Sequence, residues 1–192
     1  MDLNIKTYFI IAILTASLVY FIFIYNNLIG LKNNVLKSFA NIDVLLKQRH
    51  DELPKLVETC RQYMGFEKET LTKITQARSS VMSALQAGDI GALGKAEGTL
   101  RQGLMNLFAV AENYPDLKTN AIFKQLQDRI SVLENTIADR REVYNEAATL
   151  NNIRIEQFPD LIVAKLASFK KQALLEFSES EISPVDIKKL FE

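Results

Sequence analysis

The chain carries one cysteine, Cys60, one histidine, His50, and no tryptophan. A single cysteine forms no intramolecular disulfide, and one Cys with one His falls short of the ligands a zinc site draws from those residues. The lone histidine also excludes a di-iron carboxylate bundle, which calls for two Glu-x-x-His pairs. Basic and acidic residues balance at 23 each. Without a cationic surplus for a phosphate backbone, no nucleic acid is expected as a partner. Only 7 glycines and 4 prolines punctuate 192 residues, 48% of them hydrophobic, which leaves few turns and favours long helices. The length holds one ordinary domain with room for a membrane segment.

Charge is missing from Thr7 to Leu31. Within that run Tyr8–Tyr25 is nearly all apolar, and at ~1.5 Å per residue it crosses most of a ~30 Å hydrocarbon core, completed by Asn26 to Ile29. Residues 7–27 are therefore expected to contact the lipid bilayer as a single transmembrane helix. A cleaved signal peptide has an apolar region of ~7–15 residues that ends in small residues. Here Ala16 and Ser17 lie mid-run and Leu18 to Phe23 follow them, which favours an uncleaved anchor. Tyr8 at one end and Tyr20 and Tyr25 toward the other suit the aromatic belts of the membrane interfaces.

Beyond the anchor, Leu28, Leu31, Val35, Phe39, Ile42, Leu46, Leu53, Val57, Cys60 and Met64 form one stripe at helical spacing. Such a stripe is stable only when buried against other helices. One glycine, Gly30, costs only ~1 kcal/mol, so anchor and first core helix are expected to be continuous. Pro54 lacks the N–H that would bond the His50 carbonyl, which predicts a kink there. His50 beside Asp51 and Glu52 suggests a base, yet sequence neighbours point to different helix faces, and a polar residue near a kink is the better reading.

Gly65 offers a stop, and Phe66–Gln86 reads as a second helix with Leu71, Ile74, Val81 and Leu85 on its stripe. Asp89 can cap a third helix that runs to about Asn113. Its glycines, Gly91, Gly94, Gly98 and Gly103, lack the order of a phosphate loop, so close helix contact is the expected reason for them. Tyr114-Pro115-Asp116 breaks the chain. A fourth helix, Thr119–Gln157, follows with the heptad Phe123, Leu126, Ile130, Leu133, Ile137, Arg140, Tyr144, Ala147, Asn151. Polar Arg140 and Asn151 on that seam are expected to fix register rather than bind a ligand.

The run YNNLIGLKNNVLKSFANIDVLLKQRHDELPKLVETCRQYMGFEKETL resembles the opening of the LemA family of bacterial membrane-anchored proteins. The later runs AENYPDLKTNAIFKQLQDRI and ENTIADRREVYNEAATLNNIRIEQFP resemble its second half in the same order. Phe39 stands where relatives often carry Trp, and FPDLIVAKLASF departs from the family's tail at Leu161, Ala167 and Ser168. The resemblance implies an anchored helical protein of proteolysis-linked quality control or envelope signalling.

The first and fourth helices would reach ~55–60 Å and the middle pair only ~32–35 Å at ~1.5 Å per residue, and short connections imply antiparallel neighbours. The expected fold is all-α: an N-terminal transmembrane anchor (1–27), an elongated antiparallel four-helix bundle with a C-terminal helical tail (28–177), and a loosely held end (178–192). The tail from Phe158 to Phe177, with Leu161, Ile162, Leu166, Phe169 and Leu174, is expected to cover the membrane-proximal half of the first helix near Leu31–Phe39. No residue set converges on catalysis, a cofactor or a metal, so no enzyme is expected. The leading function is a membrane-anchored scaffold or adaptor with a membrane-associated protein partner; the alternative is a homo-oligomer that shapes membranes. Lys32, Lys37, Lys47 and Arg49 after the anchor outnumber Lys6 before it, which leans the bundle toward the cytoplasmic side of a bacterial inner membrane.

Overall fold

The computed structural model describes residues 5–65 and 67–176, so the expected loose end at 178–192 lies outside the described residues. The described residues form six helices in order: α1 (Ile5–Tyr63), α2 (Lys68–Ala87), α3 (Ile90–Ala111), α4 (Pro115–Thr119), α5 (Ala121–Glu156) and α6 (Asp160–Leu166). There is no strand among the described residues. Anchor and first core helix are one element, and α1 runs through Pro54 to Tyr63. From Ile5 to Tyr25 every side chain but Ile24 is exposed. That part of α1 is long and apolar enough to cross a membrane.

The local signals act as their chemistry requires. Gly88 ends α2 in the left-handed region at φ 66°, where its N–H reaches Leu85 and that of Asp89 reaches Ala84. This is the paired termination that favours a residue without a Cβ. Asp89 then caps α3, its carboxylate accepting from the Ala92 amide at 2.9 Å. Pro115 opens α4 where a missing N–H costs nothing. The Asn120 side chain accepts from the Phe123 amide at 3.0 Å and starts α5.

The C-terminal segment differs from expectation. In place of one helix over 158–177, only Asp160–Leu166 is helical. Ser168 takes φ 56°, and the Ser168 and Phe169 amides close back on the Lys165 and Ala164 carbonyls. A serine here performs the termination that Gly88 performs after α2, and the chain continues non-helically. Apolar spacing alone carried no sign of this stop. Phe177 lies outside the described residues.

By contacts the chain divides into two compact units. In the first, the residues up to Ala40 associate with Val143–Gln172. Its core is Ile24, Leu28, Ile155, Val163 and Ala164, with Phe169 packed on it. The Tyr25 and Phe169 rings meet edge to face at 6.1 Å. The tail therefore docks on Ile24 and Leu28, one to two turns before the expected Leu31–Phe39. Phe39 meets the Tyr144 ring of α5 instead, at 5.7 Å. Asn152 grips the segment after α6 through two bonds of 2.8 Å, one to the Gln172 carbonyl and one from its amide.

The second unit holds Asn41–Glu142 and the residues from Ala173. Its buried stripes are Ile42, Leu46, Leu53, Leu56 and Cys60 on α1 with Met64 just past its end, Leu71, Ile74 and Val81 on α2, Leu93, Leu100, Leu104 and Leu107 on α3, and Phe123, Ile130 and Ile137 on α5. Helices α2 and α3 pack against each other. At Gly103 a Cβ would sit 3.4 Å from the Ile74 side chain, the helix contact expected of these glycines. Gly94 serves another neighbour: a Cβ there would lie 3.2 Å from the Glu176 carbonyl oxygen, so its absence lets the chain after α6 pass against α3.

Candidate functional site

Core stripes are normally apolar, and in the second unit three of them are interrupted by charge. On α1 the step from Leu46 to Leu53 skips one inward position, and Arg49 fills it at 1% exposure. On α3 Glu97 stands between Leu93 and Leu100 at 3% exposure. On α5 Glu134 and Arg141 flank Ile137, and Arg141 is buried. Arg49 joins these helices: its Nη2 donates to Glu97 Oε1 and its Nη1 to Glu134 Oε1 at 2.6 Å. Arg141 lies within electrostatic range of Glu97.

Burial on its own would lower the Arg49 pKa, but Glu97 and Glu134 outweigh it and hold the guanidinium above its ordinary value. Burial pushes the Glu97 carboxyl up, with Arg49 pulling it back. Nearby Glu52, also buried, takes Arg129 at 3.1 Å and Lys55 at 3.3 Å. Parting Arg49 from Glu97 and Glu134 would leave buried charge without its counterion, at a cost of several kcal/mol (~3–5). The network thus ties α1 to α3 and α5.

A second polar junction lies one residue along α1. The Arg78 Nε of α2 donates to the His50 carbonyl at 3.0 Å, and Nη2 lies 2.7 Å from His50 Nε2. Burial first, and the Arg78 charge second, hold the imidazole below its usual range. Because a guanidinium only donates, Nε2 accepts and Nδ1 carries the ring hydrogen. The structure brings His50 to Arg78.

Arg140, expected on the α5 seam, is exposed, and Arg141 takes the inward place. Stepping four residues from Ile137 rather than three keeps Arg141, Tyr144, Ala148, Asn151 and Ile155 within ~40° of one line at 3.6 residues per turn. Asn151 is buried on that line, as expected. Sequence reading missed Arg49, Glu97 and Glu134; the gaps they fill, Leu46 to Leu53 and Leu93 to Leu100, were the available signal. Among the described residues no group of three or more His, Cys, Asp or Glu is placed to hold a metal ion.

An exposed apolar helical segment running into a core held by buried ion pairs defines a class of helical protein with a membrane-compatible end. The chain matches the LemA family model over residues 38–188 and belongs to that family. It is 31% identical to Protein LemA of Metamycoplasma hominis, over 96% of this chain and 85% of that relative. It is also 24% identical to magnetosome protein MamQ 2 of Paramagnetospirillum magneticum and 22% to magnetosome protein MamQ of Magnetospirillum gryphiswaldense, each over 88% of this chain and 70% of the relative. The matched range contains the whole ionic network.

Proposed function

We propose that the protein is a membrane-anchored helical adaptor of the bacterial inner membrane, working by protein–protein interaction in envelope quality control or signalling rather than by catalysis. One observation carries this reading. The same helix that exposes Phe9, Ile10, Leu14, Leu18, Val19 and Ile22 goes on to bury Ile42, Leu46, Leu53 and Cys60. Only a lipid environment makes the first half favourable without a protein partner. In this reading α1, α2, α3 and α5 form an antiparallel four-helix bundle, and the ties of Arg49 to α3 and α5 and of Arg78 to α1 support that grouping. Val143, Leu150 and Ile153 leave apolar surface exposed on α5 for a partner. The bundle lies on the cytoplasmic side, following the lysines after the anchor.

The test is purification of the full chain from membranes in mild detergent after crosslinking. A defined heterologous partner supports the adaptor. A large homo-oligomer that deforms liposomes replaces it with the membrane-shaping alternative. For orientation, a single cysteine at exposed Asn34, with Cys60 replaced, is challenged by an impermeant thiol reagent on cells with a permeabilised outer barrier. Labelling before the inner membrane is lysed would put the bundle outside.

A further inference from the structure

A cavity of about 420 Å³ opens in the unit that contains the apolar part of α1. Its volume is ordinary for a small-ligand pocket. Tyr25, Ile29 and Lys32, which share one face of α1, form one wall, and Asn151 of α5 with Ser168 and Lys170 of the segment after α6 complete it. The left-handed turn at Ser168 and the grip of Asn152 on Gln172 set the course of the chain on either side of Lys170.

The polar groups specify a ligand. Asn151 is 1% exposed and its Oδ1 has no hydrogen-bond partner among the described residues. Buried acceptors are nearly always partnered; Oδ1 is closed off in this rotamer, so a donor in the cavity that Asn151 lines would meet it on a turn of the side-chain amide. No acidic residue lines the space, and neither Lys32 nor Lys170 is ion-paired among the described residues, whereas Lys171 next in sequence pairs with Glu156 at 2.5 Å. Two free cations and a buried acceptor suit a phosphate that carries a hydroxyl. The position supplies the source. Tyr25 closes the exposed apolar run of α1, so on the anchored reading, on which this inference rests, the cavity opens where the helix leaves the hydrocarbon.

We propose that this cavity binds the head group of an anionic glycerophospholipid, with Lys32 and Lys170 on the phosphate and Asn151 Oδ1 accepting from a head-group hydroxyl. The full-length protein is examined by native mass spectrometry from micelles that contain phosphatidylglycerol and phosphatidylcholine in equal amounts. Preferential retention of phosphatidylglycerol is expected, and it falls on the order of tenfold in Lys32→Gln/Lys170→Gln. Asn151→Leu lowers it too, while Lys37→Gln/Lys165→Gln, exposed lysines outside the cavity, leaves it unchanged. Equal retention of both lipids, or equal loss in both lysine pairs, overturns the proposal. Binding of millimolar glycerol phosphate that displaces no lipid assigns the cavity to a soluble anion and also overturns it. Flotation with pure phosphatidylcholine vesicles separates the two readings: a protein that floats but shows no head-group preference sinks this proposal alone, and one that floats with no vesicle sinks the anchor as well.

Discussion

Arg78 Nε lies 3.0 Å from the His50 carbonyl oxygen, the acceptor that residue 54 of a regular helix would bond and that Pro54 does not. A side chain from α2 thus takes over a backbone hydrogen bond of α1, and α1 continues through the proline as helix. Arg78→Met should cost about 1.5–3 kcal/mol, the usual worth of a bond with a charged donor. In a Pro54→Ala background the alanine amide satisfies His50, so the same change should cost distinctly less. Chemical denaturation of the four proteins measures this cycle; equal losses in both backgrounds would show that the guanidinium does not stand in for the amide.

The ionic network predicts a non-additive series. Arg49→Met strands Glu97 and Glu134 in the interior and should cost about 3–5 kcal/mol. Neutralising Glu134 as well, in R49M/E134Q, should recover part of that loss, because Glu97 keeps the nearby Arg141 as a counter-charge. A double variant no more stable than R49M would mean that the stranded Glu134 charge is not what destabilises R49M.

His50 gives a pH signature. Its folded pKa lies below the ordinary 6.5, so as pH falls through 6.5 the unfolded chain takes up a proton before the native state does. The stability contributed by the neutral ring is full above that value and is lost progressively as pH drops from it toward the folded pKa. Thermal melts of wild type and His50→Gln across this window should diverge, the wild type losing more stability toward acid. Parallel curves would show that the imidazole is not held neutral.

Cys60 is fully buried, and burial pushes its thiol up to about 12. The thiolate is the reactive form, so the native protein should resist a thiol reagent at pH 8 and react stoichiometrically once unfolded. Fast modification of the native protein would show that this end of α1 opens readily.

Truncation of Ile137, 2% exposed, to Ala should cost about 2–5 kcal/mol, whereas Arg140→Ala on the outer face should lie within about 0.5 kcal/mol of wild type. The reverse order would return the α5 seam to Arg140.

Much of this protein was determined by sequence alone, because the responsible forces are local or periodic. The charge-free run to Leu31, the inward leucines and isoleucines, Asp89 as a cap and Pro115 as a break act through residues within a few positions of one another, and periodicity reports which face must be dry. Tertiary structure decided the rest. The helix stop at Ser168 comes with Phe169 packed on the Ile24 and Leu28 cluster, a contact between residues far apart in the sequence. Arg49, Glu97 and Glu134 are ordinary polar residues when each helix is read singly, and become a core only when the three helices bring opposite charges together in a medium that will not tolerate them apart. Gly94 likewise looks like a helix weakness until the Glu176 backbone passes against it. Periodicity along one strand of sequence carries no information about a partner that arrives from tens of residues away.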